Sequence, residues 1–321
     1  MLQLLLCLLV VAQLTAFDKV VIWGHKLHTH THSYIHHAFF RAFQHMGYET
    51  YWFDDKDDVE GFDFSDTLFL TEGQVDKRIP VRKDCVYLLH NCHDTKYAPL
   101  NFIVFQVYTD AVLNYPSAVK VEPFIYYDVP GRCVYMPWAT DLLPHEVDAM
   151  KKRLPFNVRK KEIHWIGTVG AGRFGNIEQL NPFIKACKKE GISFKSRMNV
   201  DPDEAVRLIQ TSYMAPTIVG KWQFDQGYIP CRIFKNISYG KMGITNSKNV
   251  YDLFEGKVIY NPDTYQLFFD AKKALAKQTE EEMLALMDFV RDKHTYINRI
   301  QTLLEFIQVA GEKEDSKECC R

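Results

Sequence analysis

A repeated local pattern, in which an apolar strand leads through a loop into a helix, constrains this 321-residue chain most strongly. Residues 19–24 (KVVIWG) form a continuous apolar run that ends in glycine, which is typical of a buried parallel strand. A loop, a predicted helix over residues 33–46 and a strand over residues 49–53 complete one βαβ unit. Further β-type segments at residues 67–70, 85–89, 101–108 and 119–127 indicate an α/β sheet.

The same pattern begins again after a segment of different composition. Two prolines bracket the aromatic and polar residues 135–144, and a basic amphipathic segment follows, which predicts an interdomain linker. A strand at residues 164–167, a glycine-rich loop and a helix at residues 176–189 then open a second α/β unit. The sequence therefore predicts two Rossmann-like domains that face each other across a cleft. The predicted boundaries are 1–16 (leader), 17–140 (first domain), 141–161 (linker), 162–311 (second domain with its closing helices) and 312–321 (polar tail).

A net charge of −1 provides no bulk attraction to nucleic acid or to acidic membranes, so any anion site must be local. Residues 1–16 form an apolar run that resembles a signal peptide, although it lacks a basic start and is short for a membrane span. A signal peptide predicts the secretory pathway, either the ER or Golgi lumen or secretion. A buried first element predicts a cytoplasmic chain, and a short anchor predicts peripheral membrane association.

The eight cysteines show no zinc-type spacing and no dense disulfide framework. Most are expected to be buried thiols. The sequence allows a disulfide between Cys85 and Cys92 but does not require one. Asn236 begins a glycosylation sequon, but it falls inside a predicted helix. A glycan at Asn236 is therefore expected to disrupt the structure, so the sequon either argues against exposure of the chain to a secretory lumen or is shielded.

The loop at residues 168–175 contains a G-x-G-x-x-G pattern between a strand and a helix, which is the context of a dinucleotide fingerprint. Gly170 and Gly172 would let a pyrophosphate approach the backbone, and Arg173 would neutralise its charge. The next strand ends near Arg197 instead of an acidic residue, which suits a 2′-phosphate. An NADP-dependent oxidoreductase is therefore one hypothesis.

A second anion site is predicted where residues 227–245 lead through Pro230 into a helix that carries Arg232 and Lys235. Lys221 adds a further cation shortly before this segment. Both basic loops follow strands of the same half of the chain, so they are expected to meet above one sheet edge. Two converging cationic loops suit a diphosphate, whose charge as a leaving group must be stabilised.

Six of the 12 histidines lie within residues 25–37. Zinc binding and a purely structural role are both open for such an array. The interpretation that we favour is a substrate-facing loop, in which His28, His30 and His32 contact sugar hydroxyls or act as general bases. His93 follows another strand and is expected to face the same cleft.

Three segments taken together resemble a glycosyltransferase of the GT-B fold, nearest to the bacterial spore-maturation-protein type with a group-1-like C-terminal domain. They are the interdomain segment at 136–141 (MPWATD), the start of the second domain at 164–173, and a block at 227–260 that opens with GYIPCRIFK. The resemblance covers roughly residues 135–275.

The resemblance implies a nucleotide-diphosphate sugar as co-substrate, a glycan, lipid or protein acceptor in the cleft, and no cofactor or obligatory metal. It places Arg173 against the diphosphate and Arg232, with its helix N-terminus, at the same group, with Lys221 and Lys235 in support. One position departs from the family, which usually has glutamate where Lys235 follows Phe234.

The leading interpretation is a retaining, metal-independent glycosyltransferase. Its candidate catalytic residues are His30, His32, His93 and Arg232, and its candidate donor-binding residues are Gly170, Gly172, Arg173, Lys221, Arg232 and Lys235. The alternatives are the NADP-dependent oxidoreductase and a non-catalytic glycan-binding relative, which the lysine at position 235 would favour.

Overall fold

The computed structural model describes residues 17–109, 115–154 and 160–318, with side chains as far as residue 311. The predicted leader at residues 1–16 lies outside these ranges, as do the last three residues of the predicted polar tail. Within the described ranges, the helices are all too short or too polar to cross a bilayer.

The first unit is built on an eight-stranded sheet of apolar and aromatic strands. In chain order they are β1 (Lys19–Trp23), β2 (Glu49–Phe53), β3 (Thr67–Glu72), β4 (Val86–His90), β5 (Asn101–Gln106), β6 (Val119–Glu122), β7 (Ile125–Asp128) and β8 (Cys133–Tyr135). They lie side by side in the order β2-β1-β3-β4-β5-β8-β7-β6. The strands from β2 to β8 in this order run parallel, and β7 and β6 continue the sheet antiparallel.

The second unit has shorter parallel pairings. β9 (Glu162–Ile166) pairs with β10 (Ser193–Arg197), and β12 (Ile244–Thr245) lies between β11 (Pro216–Thr217) and β13 (Ile259–Tyr260). The helices of the whole chain are α1 (Ser33–His45), α2 (Pro144–Lys151), α3 (Ile177–Lys189), α4 (Pro202–Thr211), α5 (Lys221–Asp225), α6 (Cys231–Ser238), α7 (Lys248–Leu253), α8 (Thr264–Leu275), α9 (Glu280–Lys293) and α10 (Tyr296–Glu318). The chain is thus a mixed α/β protein with a large parallel sheet, as predicted.

Two β-type segments differ from the expectation. The segment predicted over residues 119–127 is a hairpin of β6 and β7, because Phe124 adopts a φ of 62° and turns the chain between them. β8 lies near the end of the predicted first domain and joins the sheet beside β5. Its three residues form too short an apolar run to stand out in the sequence.

The last helix lies against the first unit, although the sequence placed the closing helices with the second. Tyr296, Ile300, Leu303 and Phe306 are buried in the same hydrophobic cluster as Phe39 of α1. The helix also continues to Glu318, through most of the predicted polar tail. A predicted helix does not by itself identify the surface that covers its apolar side.

The segment at residues 136–141 is held by groups from both sides. The guanidinium of Arg299 on α10 donates to the carbonyl oxygens of Pro137 at 2.7 Å and of Trp138 at 3.1 Å. Thr140 bonds Ser238 of α6 through their hydroxyl oxygens, which lie 2.7 Å apart. Buried hydrogen bonds of this kind fix the segment relative to both units.

The sequon residue Asn236 is 2% exposed, and its amide donates to the carbonyl of Ala215 at 3.0 Å. The site is therefore shielded, in agreement with the second of the two expectations for it. Cys85 and Cys92 are both buried and both free, so the disulfide that was left open for them does not form.

Candidate functional site

The carboxyl ends of three neighbouring strands converge at one edge of the first sheet. β1 leads into His25, β3 ends at Glu72 and β4 ends at His90. Glu72 and His90 are direct partners in the register of β3 with β4. Because the carboxyl ends of parallel strands share one edge, these three side chains lie together.

The loop before α1 and its first turn bring further imidazoles to the same place. We call the resulting set the histidine nest: Glu72, His25, His30, His32, His36 and His90. The ring of His36 occupies the space beside Gly24, where a Cβ atom would overlap the imidazole. The glycine that ends the first apolar run therefore makes room for a buried histidine.

One carboxylate oxygen is the centre of the nest. Nδ1 of His32 donates to Oε2 of Glu72 at 2.6 Å. Nε2 of His36 lies 3.9 Å from the same oxygen, and Nδ1 of His90 lies 4.0 Å from it. The ring of His25 stacks on that of His30 with 4.1 Å between centroids.

Burial determines the charge states in the nest. Burial lowers the pKa of His36 and of His90 to about 3, so both rings are neutral at pH 7. Burial alone would raise the pKa of Glu72, but the hydrogen bond from His32 and the surrounding imidazoles outweigh it and hold the pKa below its usual range. Glu72 is thus an ionised carboxylate that is only 3% exposed.

Several polar atoms of the nest have no hydrogen-bond partner within the described residues: Oε1 of Glu72, Nε2 of His25 and both ring nitrogens of His36. Unpaired buried polar atoms are uncommon and usually indicate a bound group or water. Two trios of donors lie close enough to hold a metal ion, namely His25 with His30 and Glu72, and His32 with Glu72 and His90.

His28 and His93 do not join the nest. His28 is exposed, and its Nδ1 lies 2.9 Å from the hydroxyl of Tyr34. His93 is exposed as well, and its Nε2 lies 3.3 Å from the amide of Gln106. The strand-end histidine that joins the nest is His90, since it still belongs to β4 whereas His93 lies on the turn beyond it.

The second predicted site forms where β9 leads into the glycine-rich loop. The guanidinium of Arg232 lies over the ring of Trp165 at 3.7 Å and donates to the carbonyl of Ile166 at 3.0 Å. A Cβ atom at Gly167 would come within 2.6 Å of that guanidinium, and Gly167 has a φ of 122°. Glycine at position 167 therefore allows the α6 cation to reach the start of the loop.

The loop itself is a compact turn that opens α3. The backbone amides of Asn176 and Ile177 donate to the carbonyl of Gly170, and Gly175 donates to Gly172. Gly175 packs directly against Gly220, which precedes α5. Neither α3 nor α6 has a side-chain hydrogen bond that caps its N-terminus. The Arg232 guanidinium thus lies at the start of a glycine-rich turn that opens α3.

The other predicted cations are placed differently. Arg173 is exposed, with its guanidinium 5.5 Å from the ring of Phe174. Lys221 is exposed and pairs with Asp225 one turn along α5, at 2.8 Å. Lys235 forms an ion pair with Asp141 at 2.8 Å, and Asp141 also accepts from the hydroxyl of Tyr239 at 2.7 Å.

The Lys235–Asp141 pair gives the lysine that follows Phe234 a structural role. Burial would lower the pKa of Lys235, but the charge of Asp141 outweighs burial and raises it, so the lysine stays protonated. Its ammonium also lies 5.9 Å from the ring of Tyr34, the partner of His28. Lys235 therefore joins α6 to the interdomain segment and approaches the start of α1.

Aromatic side chains connect the two sites. The ring of Trp138 contacts that of His90 at 4.9 Å, and Tyr228 contacts Tyr108 with 5.5 Å between ring centroids. Tyr108 lies 5.1 Å from Trp222, which in turn contacts Phe174 at 4.7 Å. Phe174 is 64% exposed, so this aromatic row reaches the surface beside the glycine-rich loop.

Sequence reasoning missed Glu72 and the roles of Trp138 and Asp141. Glu72 carried a usable signal, because a carboxylate that directly ends an apolar strand lies at the functional edge of a parallel sheet. Trp138 and Asp141 were noted only as parts of the interdomain segment, and their contacts come from residues distant in the chain.

Comparison with known proteins yields weak similarities. No protein-family model matches the chain, and no curated protein matches it. Among solved structures, a glycosyltransferase from Rickettsia africae ESF-5 is 10% identical with a TM-score of 0.49, covering 92% of this chain and 98% of that one. A UDP-forming α,α-trehalose-phosphate synthase from Burkholderia xenovorans is 8% identical with a TM-score of 0.46, covering 77% of this chain and 74% of that one. Scores and identities this low assign neither an activity nor a binding partner to this chain.

Proposed function

We propose that the chain is a GT-B glycosyltransferase that moves a sugar from a nucleotide-diphosphate donor to an acceptor bound between its two units. The observation that carries the proposal is the position of Arg232. Arg232 lies in the first turn of α6. Its guanidinium donates to the carbonyl of Ile166, beside Gly167 and the start of the glycine-rich loop. A cation beside a glycine-rich turn that opens a helix is an arrangement that suits a departing diphosphate.

In this proposal the glycine-rich turn at Gly170 and Gly172 receives the diphosphate, and Arg232 stabilises the charge that develops when the glycosidic bond breaks. Arg173 is exposed at the same turn and would close on the donor. Lys235 takes a structural part, because its charge is already balanced by Asp141. The cations of the second unit would replace a metal at the diphosphate, and the reaction would retain the anomeric configuration.

The histidine nest would form the acceptor side. His32 is half-exposed, and its hydrogen bond to Glu72 fixes the orientation of its imidazole ring. His30 lies beside it, with 5.1 Å between the two ring centroids. These imidazoles would bind the sugar or acceptor hydroxyls, while His93, which lies apart from them, would not.

The decisive experiment compares Arg232→Ala and Arg232→Lys with Arg207→Ala, an exposed arginine of α4 whose ion pair is with Glu204. Release of nucleoside diphosphate from UDP-, GDP- and ADP-sugars is measured for each folded variant. Loss of one transition-state cation costs about 100- to 1,000-fold in rate. We expect that loss for Arg232→Ala, a smaller loss for Arg232→Lys, and none for Arg207→Ala. Unchanged turnover in Arg232→Ala would refute the proposal.

A ligand panel separates this function from its rivals. Stabilisation of the wild-type chain by UDP, GDP or ADP, also in the presence of EDTA, supports a metal-independent diphosphate site. Stabilisation by NADP alone favours the oxidoreductase. Binding of glycans with no turnover of any donor favours the non-catalytic relative.

A further inference from the structure

The histidine nest holds a buried carboxylate whose hydrogen-bonding capacity is used only in part. The imidazoles that surround the Oε2 atom of Glu72 within 4.0 Å among the described residues are those of His32, His36 and His90. A buried carboxylate is costly unless a cation or several hydrogen bonds compensate it. One hydrogen bond, from His32, reaches Oε2, while Oε1 has no partner among the described residues.

Two donor trios share Glu72, and their distances distinguish them. His32 and Glu72 are joined by a contact of 2.6 Å, which is a hydrogen-bond length. Two ligands held at about 2.0–2.1 Å from one tetrahedral ion lie farther apart than that. His32 is therefore suited to orienting the Glu72 carboxylate through a hydrogen bond, in the way that residues next to a metal site hold a metal ligand in position.

The other trio, formed by His25, His30 and Glu72, contains polar atoms that have no hydrogen-bond partner among the described residues. Nε2 of His25 and Oε1 of Glu72 are buried without partners in the described chain, and the donor atoms of His25, His30 and Glu72 lie within 4.8 Å of one another. The backbone also holds His30 in place, because its carbonyl accepts the hydroxyl of Ser33 at 2.6 Å. The donors are thus gathered before any ion arrives.

From these contacts we propose that His25, His30 and Glu72 bind one divalent transition-metal ion of the zinc class. Two imidazoles and one carboxylate are donors that suit such ions, and three protein ligands leave a coordination position for water or a substrate hydroxyl. His25 and His30 are only half-buried, so the trio lies close to solvent. The metal site does not depend on the proposed donor site, which lies in the second unit.

The test uses the untagged full chain, stripped with EDTA and titrated with Co²⁺, whose visible absorption reports its ligands. The variant is His25→Ala/His30→Ala. The matched control is His45→Ala/His145→Ala, which removes another stacked pair of imidazoles, with centroids 5.3 Å apart, on an exposed surface. Within the described residues, that pair belongs to no trio of metal donors.

We expect the wild-type chain and the control to bind about one Co²⁺ each, displaced by Zn²⁺, and the variant to lose at least about 100-fold in affinity. No binding by the wild-type chain, or equal binding by the variant, would overturn the proposal. Loss of binding in the control would overturn it as well.

A second measurement is independent of whether the variant folds. X-ray absorption of the Co²⁺-loaded wild-type chain should show two imidazoles and one carboxylate, and a shell without imidazole would refute the site. The result is separable from donor chemistry, because metal binding can fail while Arg232 remains essential for turnover, and the reverse is also true.

Discussion

Arg299 is predicted to be the strongest single polar contribution to the junction between the two units. Its side chain belongs to a residue that is 2% exposed, and it donates to the carbonyl oxygens of Pro137, Trp138 and Lys293. It also contacts Nδ1 of His294 at 2.8 Å. Burial lowers the pKa of Arg299 to about 10, so the group is still a cation at pH 7.

Arg299→Met keeps most of the side-chain volume and removes every one of these hydrogen bonds. Each buried carbonyl left without a donor costs about 1–3 kcal/mol. Because the interdomain segment can relax and admit water, the three carbonyls together should cost about 3–5 kcal/mol. At about 2–4 °C per kcal/mol for a large domain, Tm should fall by about 10 °C.

Differential scanning fluorimetry of the two variants Arg299→Met and Arg207→Met measures the effect, with circular dichroism to confirm that both fold. Arg207 has 58% of its side chain exposed and pairs with Glu204 three residues earlier on α4. Loss of such a surface pair costs about 0–1 kcal/mol. If the Tm values of the two variants agree within about 2 °C, the reasoning about Arg299 is wrong.

Three further predictions concern the junction, the loop and the sequon. Burial raises the pKa of Asp141, but the charge of Lys235 outweighs it and the net pKa lies below the ordinary 3.8. Its stabilising effect is therefore complete above pH 3.8 and is lost as the pH falls through the lower folded-state pKa, so the Tm gap between wild type and Asp141→Asn should close in acid. Gly167→Ala should displace Arg232 and weaken nucleoside-diphosphate binding, which calorimetry measures. The control is Gly172→Ala, where φ is also positive, at 79°, but no atom lies within 4 Å of the added Cβ. Gly172→Ala should therefore weaken binding less than Gly167→Ala. When the chain is produced through a secretory pathway, mass spectrometry should find no glycan on Asn236 of the folded protein. In urea unfolding, Asn236→Ala should lower the free energy of unfolding by about 1–3 kcal/mol, because the carbonyl of Ala215 loses its hydrogen-bond donor.

Local sequence features determined much of the architecture. The run at residues 19–24, Gly47 after α1 and the proline and acidic residues that open α4 act through backbone conformation and nearest neighbours. They therefore predicted the α/β class, most of the helices and strands, and the position of the glycine-rich loop. The meeting of Arg232 with that loop also followed, because both lie at the carboxyl ends of strands in one half of the chain.

Contacts between distant parts of the chain were decided only by the tertiary structure. Whether α10 covers the first unit depends on surfaces formed by residues hundreds of positions away, such as Phe39. The pairing of Lys235 with Asp141, and the gathering of four strand-end and loop histidines around Glu72, likewise depend on strand order and register. A sequence shows which residues can bind a proton or a metal, but the shared sheet edge decides which of them meet.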